Sequence, residues 1–308
     1  MSTLKTKVDE ESVRQVLKNC YDTEIKNFSN ITGGELSAAF SYRTNNKAYV
    51  IRINSDSKGF FKDDYAFKHF SSYGIPIPET HAVEQFDEDY WYSITDRMPG
   101  KTLDQIEEST MVIDSVIATL DVIHEIPVVG KKYGDWDASG EASHNTWREH
   151  LLALLEENQR DSDSKNYADW FELAVVRDLT DQFVKLVEYC PEHRHLLHAD
   201  FESGNTLSDG HSITGVIDWA NAKYGDPVFD IAWVDFWKEH INYKGFFKQY
   251  IQDKGRDVKN YEERVVCYTL YFGIGALFFF SKSNQRGSYE WTKNRLLQIV
   301  YGTKMYHL

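Results

Sequence analysis

A histidine, an aspartate and an asparagine fall in the order H-x-D-x-x-x-x-N at His198, Asp200 and Asn205, and Asp218 follows within the stretch HLLHADFESGNTLSDGHSITGVIDW. These residue types suit phosphoryl transfer, in which a protein positions the reactants and neutralises charge and does little covalent chemistry of its own. Asp200 is the carboxylate to orient an attacking hydroxyl and accept its proton. Asn205 and Asp218 offer hard oxygen atoms of the kind that hold Mg2+ while leaving it waters and phosphate oxygens. The spacing alone is weak, because Asp and Asn are also common turn formers. The context strengthens it: Thr206-Leu207 and Ser212 to Ile217 read as two short strands around Asp209-Gly210, a strong hairpin signal. The hairpin returns the chain so that Asp218 faces Asn205 beside Asp200.

The elements that must position these groups are legible in outline. Val13, Val16 and Leu17 have helical spacing within Glu10 to Cys20, and Thr23 to Phe28 reads as a first strand. ITGGELSAAFSYR is a glycine turn between extended segments, Asn45-Asn46 a second turn, and AYVIRIN a strand. FFKDDYAFKHFSSYG puts Phe60, Phe67 and Phe70 on one side of a helix that Pro76 and Pro78 end, and a strand follows at Tyr90 to Thr95. Met98-Pro99-Gly100 reads as a joint. Beyond it Val112 to His124, Thr146 to Leu155 and Trp170 to Tyr189 carry helical periodicity, while Glu156 to Asn166 is polar enough to predict an exposed loop. Tyr268 to Phe280 is uncharged but shorter than the roughly 20 residues a membrane span needs, so it is read as a buried helix. The class is α+β, with a sheet-rich part at residues 1–97 and a mainly helical part at 98–308.

The chain has 308 residues, 42% of them apolar, which is ample for a packed core. Forty-eight acidic against thirty-four basic residues give a net charge of -14. That balance argues against nucleic acid or an anionic membrane as partner and favours a cationic one, although solubility alone would also account for it. Cys20, Cys190 and Cys267 have neither metal-ligand nor disulfide-framework spacing, and MSTLKTKVDEESVR has charges where a signal peptide needs apolar residues. A cytoplasmic protein is expected.

HADFESGN followed by VIDW resembles the catalytic and metal motifs of the aminoglycoside phosphotransferase family, relatives of the protein kinases. GGELSAAFSY, YVIRINSDSKGFFKDDYAFKHF, IPIPE, HNTWRE and CPEHRHLLHADF extend the likeness in order and spacing, closest to the hygromycin B-phosphorylating members, from about residue 30 to residue 240. The resemblance implies a bilobal protein-kinase-like fold with a small antiparallel-sheet lobe and a larger helical lobe. It also implies Mg2+ with ATP or GTP as donor, and an aminoglycoside, hygromycin B first, as acceptor. Gly33, Gly34 and Ser37 then lie in the nucleotide-positioning loop. Arg52 takes the place of the phosphate-holding lysine and Asp63 that of its glutamate, a departure that matters because guanidinium is a planar fork and ammonium a point charge. Asp96 to Met98 resembles the hinge that meets the base. His198, Asp226 and Asp230 resemble residues that brace the catalytic loop, and His124 has a family counterpart read as a satisfied core histidine.

The acceptor site is less defined. Glu202, Asn221, Asp235 and Glu239 lie near the motif, the last two on one face if Phe229 to His240 is helical, and such groups could hold ammonium or form a solvated face. Trp147, Trp219 and Trp233 either wall a pocket or fill the core. A metabolic kinase for an amino alcohol or sugar, and a non-catalytic nucleotide-binding module, stand as alternatives. The complete set of Asp200, Asn205 and Asp218 argues against the second.

Overall fold

The computed structural model describes residues 6–32, 36–107, 110–164, 167–256 and 258–302. The chain begins α1 (Glu10–Cys20), β1 (Lys26–Asn30), β2 (Ala38–Thr44), β3 (Lys47–Asn54), α2 (Lys58–Phe70), β4 (Thr80–Gln85), β5 (Trp91–Asp96), β6 (Lys101–Thr102) and α3 (Thr110–His124). It continues β7 (Tyr133–Trp136), β8 (Ala142–His144), α4 (Trp147–Ser164), α5 (Leu173–Leu186), β9 (His195–Leu197), β10 (Thr206–Ser208), β11 (Ile213–Val216) and β12 (Lys223–Gly225). The last helices are α6 (Val228–Trp237), α7 (Tyr243–Asp253), α8 (Tyr261–Lys282) and α9 (Arg286–Tyr301). Packing groups them into two compact units. One takes the chain through Val122 with Asp137–Gly140 and Asp200–Asn221, and the other takes Ile123–Trp136, Glu141–Ala199 and the chain from Ala222.

In the first unit five antiparallel strands pair in the order β1-β2-β3-β5-β4. Asn45 and Asn46, at φ 47 and 65, make the two-residue turn whose twist matches the strands it joins. Alternation along β3 buries Tyr49, Ile51 and Ile53 in a core shared with Val13 and Leu17 of α1, Phe40, Tyr42, Tyr92 and Ile94. The opposite parity sends Arg52 to the other face, toward α2. A smaller sheet, β11-β10-β6, carries the predicted hairpin, and Asp209 closes its turn by accepting from the amides of His211 and Ser212 at 2.9 and 2.8 Å. Gly100 enters this sheet at φ 100, where an added Cβ would stand 2.6 Å from the Ser208 carbonyl oxygen and from Thr214 Oγ1. Only glycine fits that joint.

In the second unit β8-β7-β12-β9 form a four-stranded sheet, and α8 packs against α5, α6 and α9. Helix α8 is longer than its apolar stretch predicts, because Tyr261 to Cys267 precede that stretch in the same helix. By length and composition it could cross a membrane, yet 61% of its most apolar window is buried within the protein, as befits a core helix. Two other expectations shift. The first strand lies at Lys26–Asn30, and the polar stretch from Glu156 continues α4 to Ser164. No Gly or Pro interrupts Trp147 to Ser164, and Glu, Gln and Arg extend a helix without needing a core.

Candidate active site

Asp200 opens a tight turn in the first unit. Its backbone carbonyl accepts from the Glu202 amide at 2.8 Å and from Asn205 Nδ2 at 3.0 Å, while its carboxylate Oδ2 accepts from Asn221 Nδ2 at 3.0 Å. The amide nitrogen of Asn205 is thus used inward, and Oδ1 is the atom left to serve a metal. The Ile217 amide donates to the Asn205 carbonyl at 2.9 Å, so the hairpin brings Asp218 back beside Asn205. Asp218 is left-handed at φ 64, a conformation that costs a non-glycine residue about 1 kcal/mol and points to a constraint at this position. Burial first, then the charges of Glu202 and Asp218, hold the Asp200 carboxyl well above the usual carboxylate range, with the Asn221 and Asn205 hydrogen bonds pulling it down. A carboxylate raised in this way takes a proton more readily than an ordinary one. One carboxylate and one amide oxygen, with no soft ligand between them, is a donor set suited to Mg2+.

Arg52 and Asp63 form a buried ion pair, and Arg52 also stands 3.7 Å from Asp218 Oδ2. The second oxygen of Asp63 accepts from the Trp219 amide at 2.7 Å. The neighbouring Lys62, which sequence reasoning missed, donates from Nζ to the Ala220 carbonyl at 2.6 Å. Ser37 Oγ accepts from Asn54 Nδ2 at 3.1 Å. The amide of Asp96 donates to the Glu79 carbonyl at 3.0 Å and its carboxylate meets His81 at 2.8 Å, while Met98 packs against Gly215. Gly33 and Gly34 lie outside the described residues.

In the second unit Asp230, fully buried on α6, accepts from the amides of His198 and Ala199 at 3.1 and 2.6 Å and contacts His124 Nε2 at 2.9 Å. Ala199 is left-handed at φ 58, immediately before Asp200. Asp226 receives Arg264 at 2.8 and 2.5 Å and Tyr268 at 2.5 Å, with the His193 ring 3.8 Å away. Burial alone would raise the Asp226 carboxyl, but His193, Arg264 and Tyr268 outweigh it and bring it down to about 2. The arginine and tyrosine partners were not legible, since α8 shows in sequence only as an apolar run.

The acceptor candidates separate. Asn221 is on Asp200, and Glu202 is close enough to act on its charge. Asp235 instead accepts from the Lys244 amide at 3.1 Å and pairs with its ammonium at 3.5 Å, and Glu239 pairs with Arg295 at 3.6 Å. Helix α6 ends at Trp237, so the expected shared helical face for Asp235 and Glu239 does not form. Trp147 and Trp219 are wholly buried, the former donating to Tyr268 at 3.1 Å and the latter to the Val216 carbonyl at 3.3 Å. Trp233 packs on Phe272 with ring centroids 4.7 Å apart.

Residues 27–262 match the family described as "Phosphotransferase enzyme family". The chain is 29% identical over 299 residues to the hygromycin-B 4-O-kinase of Escherichia coli, covering 96% of this chain and 86% of that protein. A thermostable mutant of aminoglycoside phosphotransferase APH(4)-Ia, solved in ternary complex with AMP-PNP and hygromycin B, superposes with a TM-score of 0.83. It shares 29% identity, with 96% of this chain and 99% of that one covered. The GDP and kanamycin complex of APH(2")-IIia superposes at a TM-score of 0.67 with 13% identity, covering 95% and 99% of the two chains, a likeness of fold alone. The expected α+β, protein-kinase-like fold is therefore the one observed.

Proposed function

The chain belongs to the phosphotransferase enzyme family, and on that footing we propose that it transfers the γ-phosphoryl group of a nucleoside triphosphate to a hydroxyl of hygromycin B, conferring resistance to it. The observation that carries this reading is the connected set Asp200–Asn221, Asn205–Ile217 and Asp218–Arg52–Asp63 within one compact unit. Asp200 accepts the proton of the attacking hydroxyl as its oxygen bonds to phosphorus and the bond to the nucleoside diphosphate breaks. Arg52, held by Asp63, faces the triphosphate, and Ser37 contributes to the nucleotide site. Asp96 and Met98 lie along the base, ATP or GTP. Mg2+ held by Asn205 and Asp218 would supply neutralisation of triphosphate charge. Asp230 sets the backbone that leads into Asp200 by accepting from the His198 and Ala199 amides, while Asp226 supports the same region by fastening the start of α6 to Arg264 and Tyr268 of α8.

Glu202 is the carboxylate assigned to an ammonium of the acceptor. Asp235 and Glu239 already face Lys244 and Arg295, which leaves them less charge to offer. The functional division runs near residue 97, with nucleotide contacts mostly before it. The reaction belongs in the cytosol, where nucleoside triphosphates are made. The test is mass spectrometry of hygromycin B incubated with the protein, Mg2+ and either ATP or GTP, in which a gain of one phosphate is expected. No gain, with an amino alcohol or sugar phosphorylated instead, moves the protein to a metabolic role.

A further inference from the structure

The two residues after Asp218 are gripped by one helix. Asp63 Oδ1 takes the Trp219 amide at 2.7 Å, Lys62 Nζ reaches the Ala220 carbonyl at 2.6 Å, and the backbone at Gly59 comes so near that an added Cβ would stand 3.1 Å from Ala220 Cβ. The next residue, Asn221, donates to Asp200 Oδ2. A single short turn therefore has the metal candidate Asp218 at one end and the holder of the base at the other. Lys62 is only 5% exposed.

We propose that Lys62 is a positioning residue for phosphoryl transfer: by holding the Ala220 carbonyl it fixes the turn through which Asn221 aims the Asp200 carboxylate at the acceptor hydroxyl. Helix α2 thereby sets both ends of the reaction, the phosphate side through Asp63 and Arg52 and the acceptor side through Lys62 and Asn221. A carboxylate held through one oxygen presents the other to the incoming hydroxyl, and a displacement of about 1 Å at such a group costs on the order of a hundredfold in rate. The inference rests on Asp200 acting as the base.

Steady-state kinetics of Lys62→Met, Lys62→Gln, Asn221→Ala and the Lys62→Met/Asn221→Ala pair test it. Lys62→Met and Asn221→Ala should each lower kcat by about tenfold or more, with the nucleotide KM within about twofold of wild type. Lys62→Gln, which keeps a donor, should recover part of the loss. The double variant should be within about threefold of the poorer single one, because both substitutions cut the same path. Unchanged kcat in Lys62→Met, fully multiplicative losses, or a loss confined to nucleotide KM overturns the proposal. If Lys62→Met does not fold, Lys62→Gln alone and combined with Asn221→Ala is read by the same criteria. Asp200→Asn separates the two readings: wild-type turnover there removes the base itself, whereas its collapse beside active Lys62 and Asn221 variants removes only the positioning role. Should another alcohol prove to be the acceptor, the same series is run with that alcohol.

Discussion

Asp218 combines a strained backbone with a carboxylate that Arg52 approaches to 3.7 Å, and both features are explained if a metal and a triphosphate are to be met there. Asp218→Ala should weaken nucleotide binding by about tenfold or more and flatten its dependence on Mg2+, since a hard oxygen ligand is lost and Arg52 is left with Asp63. Nucleotide titrations at several Mg2+ concentrations read this out, and a dependence identical to wild type would remove Asp218 from the metal site. At this scale the types and spacing of Asp200, Asn205 and Asp218 were visible in the sequence because their chemistry resides in side chains. Lys62 was not. It reaches a main-chain carbonyl 158 residues away, and a carbonyl carries no sequence signature.

Helix α4 buries His150 against the sheet of the second unit, 3% exposed, with its ring stacked 4.9 Å from Trp147. Tyr271 of α8 stands 3.2 Å from Nε2, Asp135 of β7 stands 4.0 Å from Nδ1, and Lys223 of β12 and His144 of β8 complete the charged surroundings. Burial first, then Lys223, push the imidazole from 6.5 down to about 3. The unfolded chain therefore binds a proton that the folded chain refuses between these values. The stability this neutral histidine contributes is fully present above pH 6.5 and falls by about 1.4 kcal/mol per unit as pH drops toward 3. His150→Gln should remove that slope, so denaturant unfolding at pH 7 and pH 5 should show wild type losing about 2 kcal/mol more than the variant. Equal losses would mean that the imidazole is protonated in the fold. The helix itself was legible from its periodicity, and its polar extension to Ser164 was misjudged because composition signals exposure and exposed helices share it.

Across the whole molecule the charge of -14 remains the one property read from composition that bears on substrate choice. Hygromycin B carries ammonium groups, so raising salt from about 50 to about 300 mM should raise its KM severalfold while kcat changes less, because mobile ions screen the attraction. The same titration on Glu202→Gln should begin from a higher KM and show a shallower rise. A KM indifferent to salt would leave the acidic balance as a matter of solubility. The segment from Asp200 to Asn221 belongs to the same compact unit as the first part of the chain, and so the candidate site draws on residues that a division at 97 keeps apart.

The amino-acid sequence by itself determined strands β2, β3 and β5 of the first sheet, the hairpin from Thr206 to Val216, helices α1 to α5 in outline and the identity of the groups able to perform phosphoryl transfer, but not the sheet β8-β7-β12-β9. Periodicity, turn chemistry and functional side chains are local properties, and local properties are written in order along the chain. The tertiary structure alone decided which oxygen of Asp200 is held and by what, that Asp63 divides itself between Arg52 and a main-chain amide, and that Lys62 grips the turn beyond Asp218. It also decided that Asp235 and Glu239 face Lys244 and Arg295. Each of these depends on two distant segments arriving within about 3 to 4 Å of one another, a range over which hydrogen bonds and ion pairs form and which no spacing along a single strand or helix encodes.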